Sequence, residues 1–171
     1  MDIFVEQIVK IKNTAPRIIA MVLIVLAAIA VAALLLMLST NKGYNLLVLG
    51  AAAVLWGTYK IIPLFFIEYE YIITNGVIDI DKITAKSSRS RIVSFDCEDI
   101  LRGGKYNFNA KPVTDADETL VFCNANDMDA YYLLVKNNGK KRLIVFVPNE
   151  KMRDAIKECV PRIMAKDLFA D

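Results

Sequence analysis

Three successive patterns of apolar and polar positions run along this chain, and each predicts a different element. In the opening MDIFVEQIVKIK, polar residues recur every three or four positions at Asp2, Glu6 and Lys10, and then at Asn13 and Arg17. Ile3, Phe4, Ile8 and Ile11 fall on other faces. That spacing predicts an amphipathic helix over 1–17 carrying a Glu6–Lys10 pair, lying in the membrane interface or against a soluble body. Thr14 to Pro16 breaks it from the apolar run beginning at Ile18.

The second pattern has no polar face. Ile18 to Leu38 is an unbroken apolar run of 21 residues, about 31 Å as a helix, which matches a bilayer hydrocarbon core. It is longer than the apolar stretch of a signal peptide, and no small-residue cleavage pattern comes after it. Leu46 to Ile67 forms a second span interrupted by Lys60 and Pro63. Trp56, Tyr59 and Lys60 are placed to act as membrane-interface anchors, the lysine by snorkelling. Ser39 to Asn45 is too short a link for anything but an antiparallel hairpin. Small residues at Ala28, Ala32, Gly50, Ala53 and Gly57 offer close backbone approach.

From Glu68 the apolar runs become short and alternate. Strands are expected at 68–74, 77–83, 91–97, 104–109, 119–123, 130–136 and 141–147, with hairpin turns at Asn75-Gly76 and Asn138-Gly139. Ile78 and Ile80 fall on one face of the second strand, Asp79 and Asp81 on the other. Asn149 then N-caps a helix with Met152, Ile156, Cys159, Val160 and Ile163 on one stripe, which Pro161 kinks or ends. About seven strands and one closing helix predict an all-β barrel or sandwich capped by a C-terminal helix over 68–171, with the two-helix membrane hairpin over 18–67.

Charge sharpens the partition. Residues 1–67 hold 5 of the 21 Lys+Arg and 2 of the 19 Asp+Glu, so nearly all the acidic groups belong to the β-rich part. Lys10, Lys12 and Arg17 precede the first span, and Lys82, Lys86, Arg89 and Arg91 come after the second. The positive-inside rule then places both termini in the cytoplasm of a multi-pass cell-membrane protein. Three scattered cysteines without a CxxC spacing fit a reducing compartment.

The chemistry-bearing residues are sparse. Histidine is absent, which removes the commonest general base and most zinc sites. The acidic stretches at 115–118 and 124–129 lack the spacing of a calcium loop, and Arg102-Gly103-Gly104-Lys105 lacks that of a phosphate loop. No catalytic, cofactor or metal residue is expected, nor a nucleic-acid partner. The one sharp basic cluster is Lys86, Arg89 and Arg91, a candidate contact for anionic lipid headgroups. A second basic run, Lys140 to Arg142, is split between faces by strand alternation.

The span pair, the hairpin EYEYIITNGVIDIDKI (68–83) and the basic RSRIVSFDCEDI (89–100) together resemble the bacterial pleckstrin-homology-like domains that come after two membrane spans. FVEQIVKIK, EYEYIITNG and IDIDKI are also similar to an uncharacterised family of small two-span proteins of Clostridium-like bacteria. The resemblance covers nearly the whole chain and implies a pleckstrin-homology-like barrel. The tight Asn75-Gly76 turn has no basic residues of its own, unlike the inositol-phosphate sites of eukaryotic relatives.

The expected function is a non-catalytic, membrane-tethered binding or assembly module. Its partners are the lipid bilayer, anionic headgroups, and an unknown protein or a second copy of the chain. The alternative is an accessory or regulatory subunit of a membrane transporter or export complex. Alkaline carbonate washing of membranes is expected to leave the full chain in the pellet; its release into the supernatant would contradict the two-span partition.

Overall fold

The computed structural model describes residues 3–42, 46–110, 115–125, 127–137, 139–165 and 168–169. Expectations that fall on Met1, Asp2, 43–45, 111–114, Asn126, Asn138 and the last residues lie outside this set, as does the side chain of Ile163. The chain divides into two compact units. One is 12–67 with 84–88; the other is 1–11, 68–83 and 89–171.

The first unit is a helix pair. α1 (Ala15–Lys42) and α2 (Leu46–Ile61) are both long and apolar enough, with the short extension of α2, to cross a membrane. They meet through small side chains: Ala28, Ala32 and Ala51 are buried. A Cβ on Gly50 would meet only Leu35 Cδ1, at 3.6 Å, and one on Gly57 would meet nothing within 4 Å. The contact thus uses Ala51 rather than the expected Ala53 and Gly57, which point away. The second span is shorter as an α-helix than its apolar run. At Ile62–Phe65 the backbone tightens into a 3-10 turn with Pro63 in its first positions, and Ile67 already begins a strand. Proline has no N–H for the α-helical ladder but suits the start of a new turn.

The second unit is built of two four-stranded sheets. The first sheet has the order β1 (Phe4–Lys10), β2 (Ile67–Thr74), β3 (Val77–Thr84), β4 (Ser88–Asp96). The second has the order β5 (Ile100–Lys105), β7 (Tyr131–Asn137), β8 (Lys140–Phe146), β6 (Glu118–Val121). β6 runs parallel to β8, from Glu118 opposite Arg142 to Val121 opposite Val145. This is an eight-stranded pair of sheets, which corrects the closed barrel of about seven strands that the resemblance implied and agrees with the sandwich alternative that the strand pattern left open.

Two elements account for the difference. The fourth strand lies at 100–105 instead of 104–109, because Asp96 and Asp99 close a capping box around a single helical turn at Cys97–Asp99 and the chain extends directly from it. The extra strand is β1. Residues 4–10 are extended, correcting the amphipathic helix expected over 1–17. They pair antiparallel with β2 from Phe4 opposite Thr74 to Lys10 opposite Glu68. Val5 and Val9 pack against the core, while Phe4 and Ile8 face outward. Polar residues four apart, such as Glu6 and Lys10, share a face in a helix and in a strand alike. The ladder to β2 decides between them, and β-branched Val5, Ile8 and Val9 suit it.

The core joins the inward faces of both sheets: Tyr71, Ile73, Ile78, Ile80, Val93 and Phe95 from the first, Leu133, Val135, Ile144 and Phe146 from the second. The Tyr71 hydroxyl donates to the carbonyl of Phe122 at 2.8 Å, satisfying the polar tip of a ring that packs edge-on against Phe146. α3 (Glu150–Cys159) starts at Asn149, whose side chain accepts from the Met152 N–H. It buries Met152, Ala155 and Ile156 in the core and ends just before Pro161; α4 (Arg162–Ala165) is one turn. Each fully buried Ile or Leu contributes about 1.5–3 kcal/mol relative to exposure.

Gln7 fastens β1 to the far side of the core. Its Nε2 donates to the carbonyl of Val147 and its Oε1 accepts from the Asn149 N–H, both at 2.8 Å. Without β1 those two backbone groups lose partners and Val5 and Val9 leave the core edge. A chain in which a short Gly-Ser turn replaces 11–67 and joins Lys10 to Glu68 is expected to be water-soluble, β-rich by circular dichroism and cooperative in melting. A fragment of 68–171 alone is expected to melt clearly lower, by about 2 kcal/mol or more for the lost burial and unpaired groups. Equal midpoints would show that β1 is not part of the folded body.

Candidate functional site

The most distinctive chemistry lies on the first sheet, opposite its core-facing side chains. Alternation in β3 buries Ile78 and Ile80 inward and turns Asp79 and Asp81 the other way. In β2 it sends Tyr71 and Ile73 inward and Glu70 outward. Yet Glu70 is fully covered and Asp81 nearly so. Their covering partners come from β4. Arg89 Nη2 lies 2.9 Å from Glu70 Oε1, and Arg91 bridges Asp79 Oδ2 at 2.9 Å and Asp81 Oδ1 at 3.1 Å. Both arginine side chains stay about half exposed, at 55%.

The arrangement holds more acid than base. Glu6 of β1 lies within hydrogen-bonding reach of Glu70, so Glu6, Glu70, Asp79 and Asp81 face two arginines. Glu70 Oε2 and Asp79 Oδ1 are buried without a donor among the described residues. Burial is the main cause that raises the Glu70 carboxyl above its ordinary value; the bond to Glu6 raises it further, and only Arg89 pulls it down. The covered position and the neighbouring carboxyl both favour the protonated form of Glu70. Arg91 is steadied in its charged state: its bond to Asp81 and the charges of Asp79 and Asp81 hold it more firmly in the cationic form.

The three predicted lipid-contact residues therefore stand in different states. Lys86 is exposed on the turn between β3 and β4, at positive φ beside Ala85, and makes no ion pair among the described residues. Arg89 and Arg91 are bound to carboxylates. The predicted anchors come together on α2: Lys60 Nζ lies 5.7 Å from the Trp56 ring centroid and 5.9 Å from that of Tyr59, with both rings largely exposed. The second basic run meets the acidic loop before β6. Lys141 Nζ contacts Asp115 at 2.8 Å, which lowers the Asp115 carboxyl, and Arg142 Nε contacts Glu118 at 3.1 Å. These are surface pairs, and such pairs contribute little to stability.

Sequence reasoning paired Glu6 with Lys10 on a helix, passed over Glu70 and gave Asp79 and Asp81 only a face, whereas the structure sets Glu6 beside Glu70. A signal was present for the pairing of β3 with β4: acids two residues apart on one strand and bases two residues apart on the next are complementary cross-strand partners. None existed for Glu6, whose neighbour lies across the whole helical hairpin.

An N-terminal strand, two packed four-stranded sheets and a closing C-terminal helix, joined to two apolar helices, define a pleckstrin-homology-like protein. The family model described as Bacterial PH-like domain (DUF6106) matches residues 1–166, and the chain belongs to that family. The match begins at the first residue, so β1 falls inside the family's extent as it falls inside the fold. No curated protein and no solved structure matches the chain.

Because the folded Glu70 carboxyl titrates above the ordinary value near 4.5, its protonated form favours folding. That contribution is complete below the ordinary glutamate value and is lost as pH rises through the higher folded one. Glu70→Gln keeps an acceptor for Arg89 and gives Glu6 a donor. It is expected to raise the thermal midpoint of the full chain in detergent at pH 7–8 and to flatten the fall in stability above the ordinary glutamate value. Arg89→Ala leaves the covered carboxyl without its cation and is expected to cost about 1–3 kcal/mol at neutral pH. A Glu70→Gln variant less stable than the parent at every pH, with unchanged slope, would contradict the raised Glu70 carboxyl.

Proposed function

We propose that this protein is an integral membrane protein whose pleckstrin-homology-like body is a non-catalytic binding or assembly module, tethered by the helical hairpin. The observation that carries the reading is the position of the hairpin in the chain. It is inserted between two strands that pair residue for residue, with Lys10 opposite Glu68 at its two ends. The body is therefore joined to the hairpin by two chain crossings instead of one flexible linker. Strands hydrogen-bonded to one another occupy the same side of any bilayer, so the intervening segment crosses an even number of times, and two spans meet that condition.

The helices supply the reason for a membrane. Leu23, Leu26, Ile29, Leu34 and Leu49 are each more than half exposed, a load of apolar surface that water does not tolerate and lipid does. Basic residues flank both ends that lead to the sheets, with Lys10, Lys12 and Arg17 on one side and Lys60, Lys82 and Lys86 on the other. This supports a cytoplasmic location for both termini in the cell membrane. Trp56, Tyr59 and Lys60 serve as interface anchors in this reading. Any contact with anionic headgroups runs chiefly through Lys86, because Arg89 and Arg91 already neutralise carboxylates.

The test is site-specific photocrosslinking of the full chain in native membranes, from outward positions on the sheets (Phe4, Ile92) and on the helices (Leu49, Leu55). Recurrent adducts from the sheet positions to one protein, or to a second copy of the chain, are expected. Adducts only from the helix positions, to a larger membrane protein, would overturn the reading in favour of an accessory subunit of a transporter or export complex.

A further inference from the structure

The three cysteines are not equivalent. Cys123 is buried in a small cluster with Ala130, Leu134, Leu143 and Val145, and burial pushes its thiol up to about 12. Cys97 and Cys159 are neighbours, although they stand far apart in sequence. Cys97 opens the helical turn between β4 and β5, where its N–H donates to the carbonyl of Gly76 at 2.8 Å. Cys159 is the last residue of α3 and is half-exposed. Their thiols are within hydrogen-bonding reach of each other, and both line one open groove of about 630 Å³ with Asn75, Gly76 and Glu158.

We propose that Cys97 and Cys159 form a redox-modification site at which hydrogen peroxide converts the thiol pair into an intramolecular disulfide, locking the end of α3 to the β4–β5 corner. The groove brings a small oxidant to Cys159, the more accessible sulfur. Its thiolate attacks the peroxide O–O bond, giving the Cys159 sulfenic acid while the departing hydroxide takes up a proton as water. The Cys97 sulfur then attacks the sulfenic sulfur, the S–OH bond breaks, and the Cys97 proton leaves with that hydroxyl as a second water. The two thiols lose two electrons in all, and the peroxide gains them.

The surroundings suit this division of labour. Burial first, and the adjacent Cys159 sulfur next, raise the Cys97 thiol, so it keeps its proton until a sulfenic acid forms beside it. A disulfide needs its two Cα atoms about 4.4–6.8 Å apart. Cys159 can adjust to that demand because Pro161 ends the helix just beyond it, and the last turn carries no continuing ladder. Cys123 has no thiol partner in its cluster and is the internal control.

The experiment treats the full chain in detergent with excess hydrogen peroxide, then traps remaining thiols and maps the peptides by mass spectrometry. The expected result is loss of two of the three free thiols and a Cys97–Cys159 linked peptide two hydrogens lighter than its parts. The thermal midpoint should rise by several degrees and return on adding dithiothreitol. Cys123→Ser should leave the link intact, and Cys159→Ser should abolish it without unfolding the chain. Over-oxidation of Cys159 with Cys97 still alkylatable would overturn the proposal. So would links that join two chains or involve Cys123.

Discussion

The pairing of β1 with β2 is the constraint on which the rest of the architecture depends. Seven consecutive positions, Phe4 to Lys10, form a ladder with residues far along the chain, 68–74. Between the two strands lies the entire helical hairpin. Closing so large a loop costs chain entropy, although the cost grows only slowly with length. The return is a sheet whose first strand supplies core contacts through Val5 and Val9 and a two-pronged clamp through Gln7. A terminal segment that would otherwise fray becomes a structural member, and the hairpin becomes an insertion within one β unit.

That arrangement also explains the acidic cluster. β1 brings Glu6 beside Glu70, while β4 brings Arg89 and Arg91 over Glu70, Asp79 and Asp81. Such a covered network is costly if half satisfied and specific if complete. Two arginines against four acids leave Glu70 Oε2 and Asp79 Oδ1 without a donor among the described residues, and the Glu70 carboxyl is raised accordingly. The face of the sheet is thus an electrostatic seam across four strands, and its basic members are committed to it. This shifts the weight of any headgroup attraction from Arg89 and Arg91 to Lys86.

Much of this was legible in the order of residues. Continuous apolar runs declared the two long helices, because a helix without a polar face has no other stable surroundings than lipid or protein. Asn75-Gly76 declared a hairpin, since both residues take positive φ there, and Asn149 declared the start of α3. Other elements were not legible. The parallel neighbourhood of β6 and β8 depends on a crossover that no local pattern encodes. The strand at 100–105 escaped sequence reasoning because Leu101 and the two glycines carry no alternation. Pro63 marked a change in α2, but that the chain turns at Ile62 and enters a strand at Ile67 reflects pairing with β1.

By itself, then, the sequence determined the partition between a greasy hairpin and a strand-rich body, the hairpin turn at 75–76 and the closing helix. These rest on local periodicity and turn chemistry, which act over a few residues. Only the tertiary structure decided that residues 4–10 are a strand, that eight strands form two sheets where the pattern left barrel or sandwich open, and that Glu6 meets Glu70 and Cys97 meets Cys159. Each of those outcomes joins segments distant along the chain. A pattern that satisfies helix and strand alike is resolved only by the partner that supplies its hydrogen bonds.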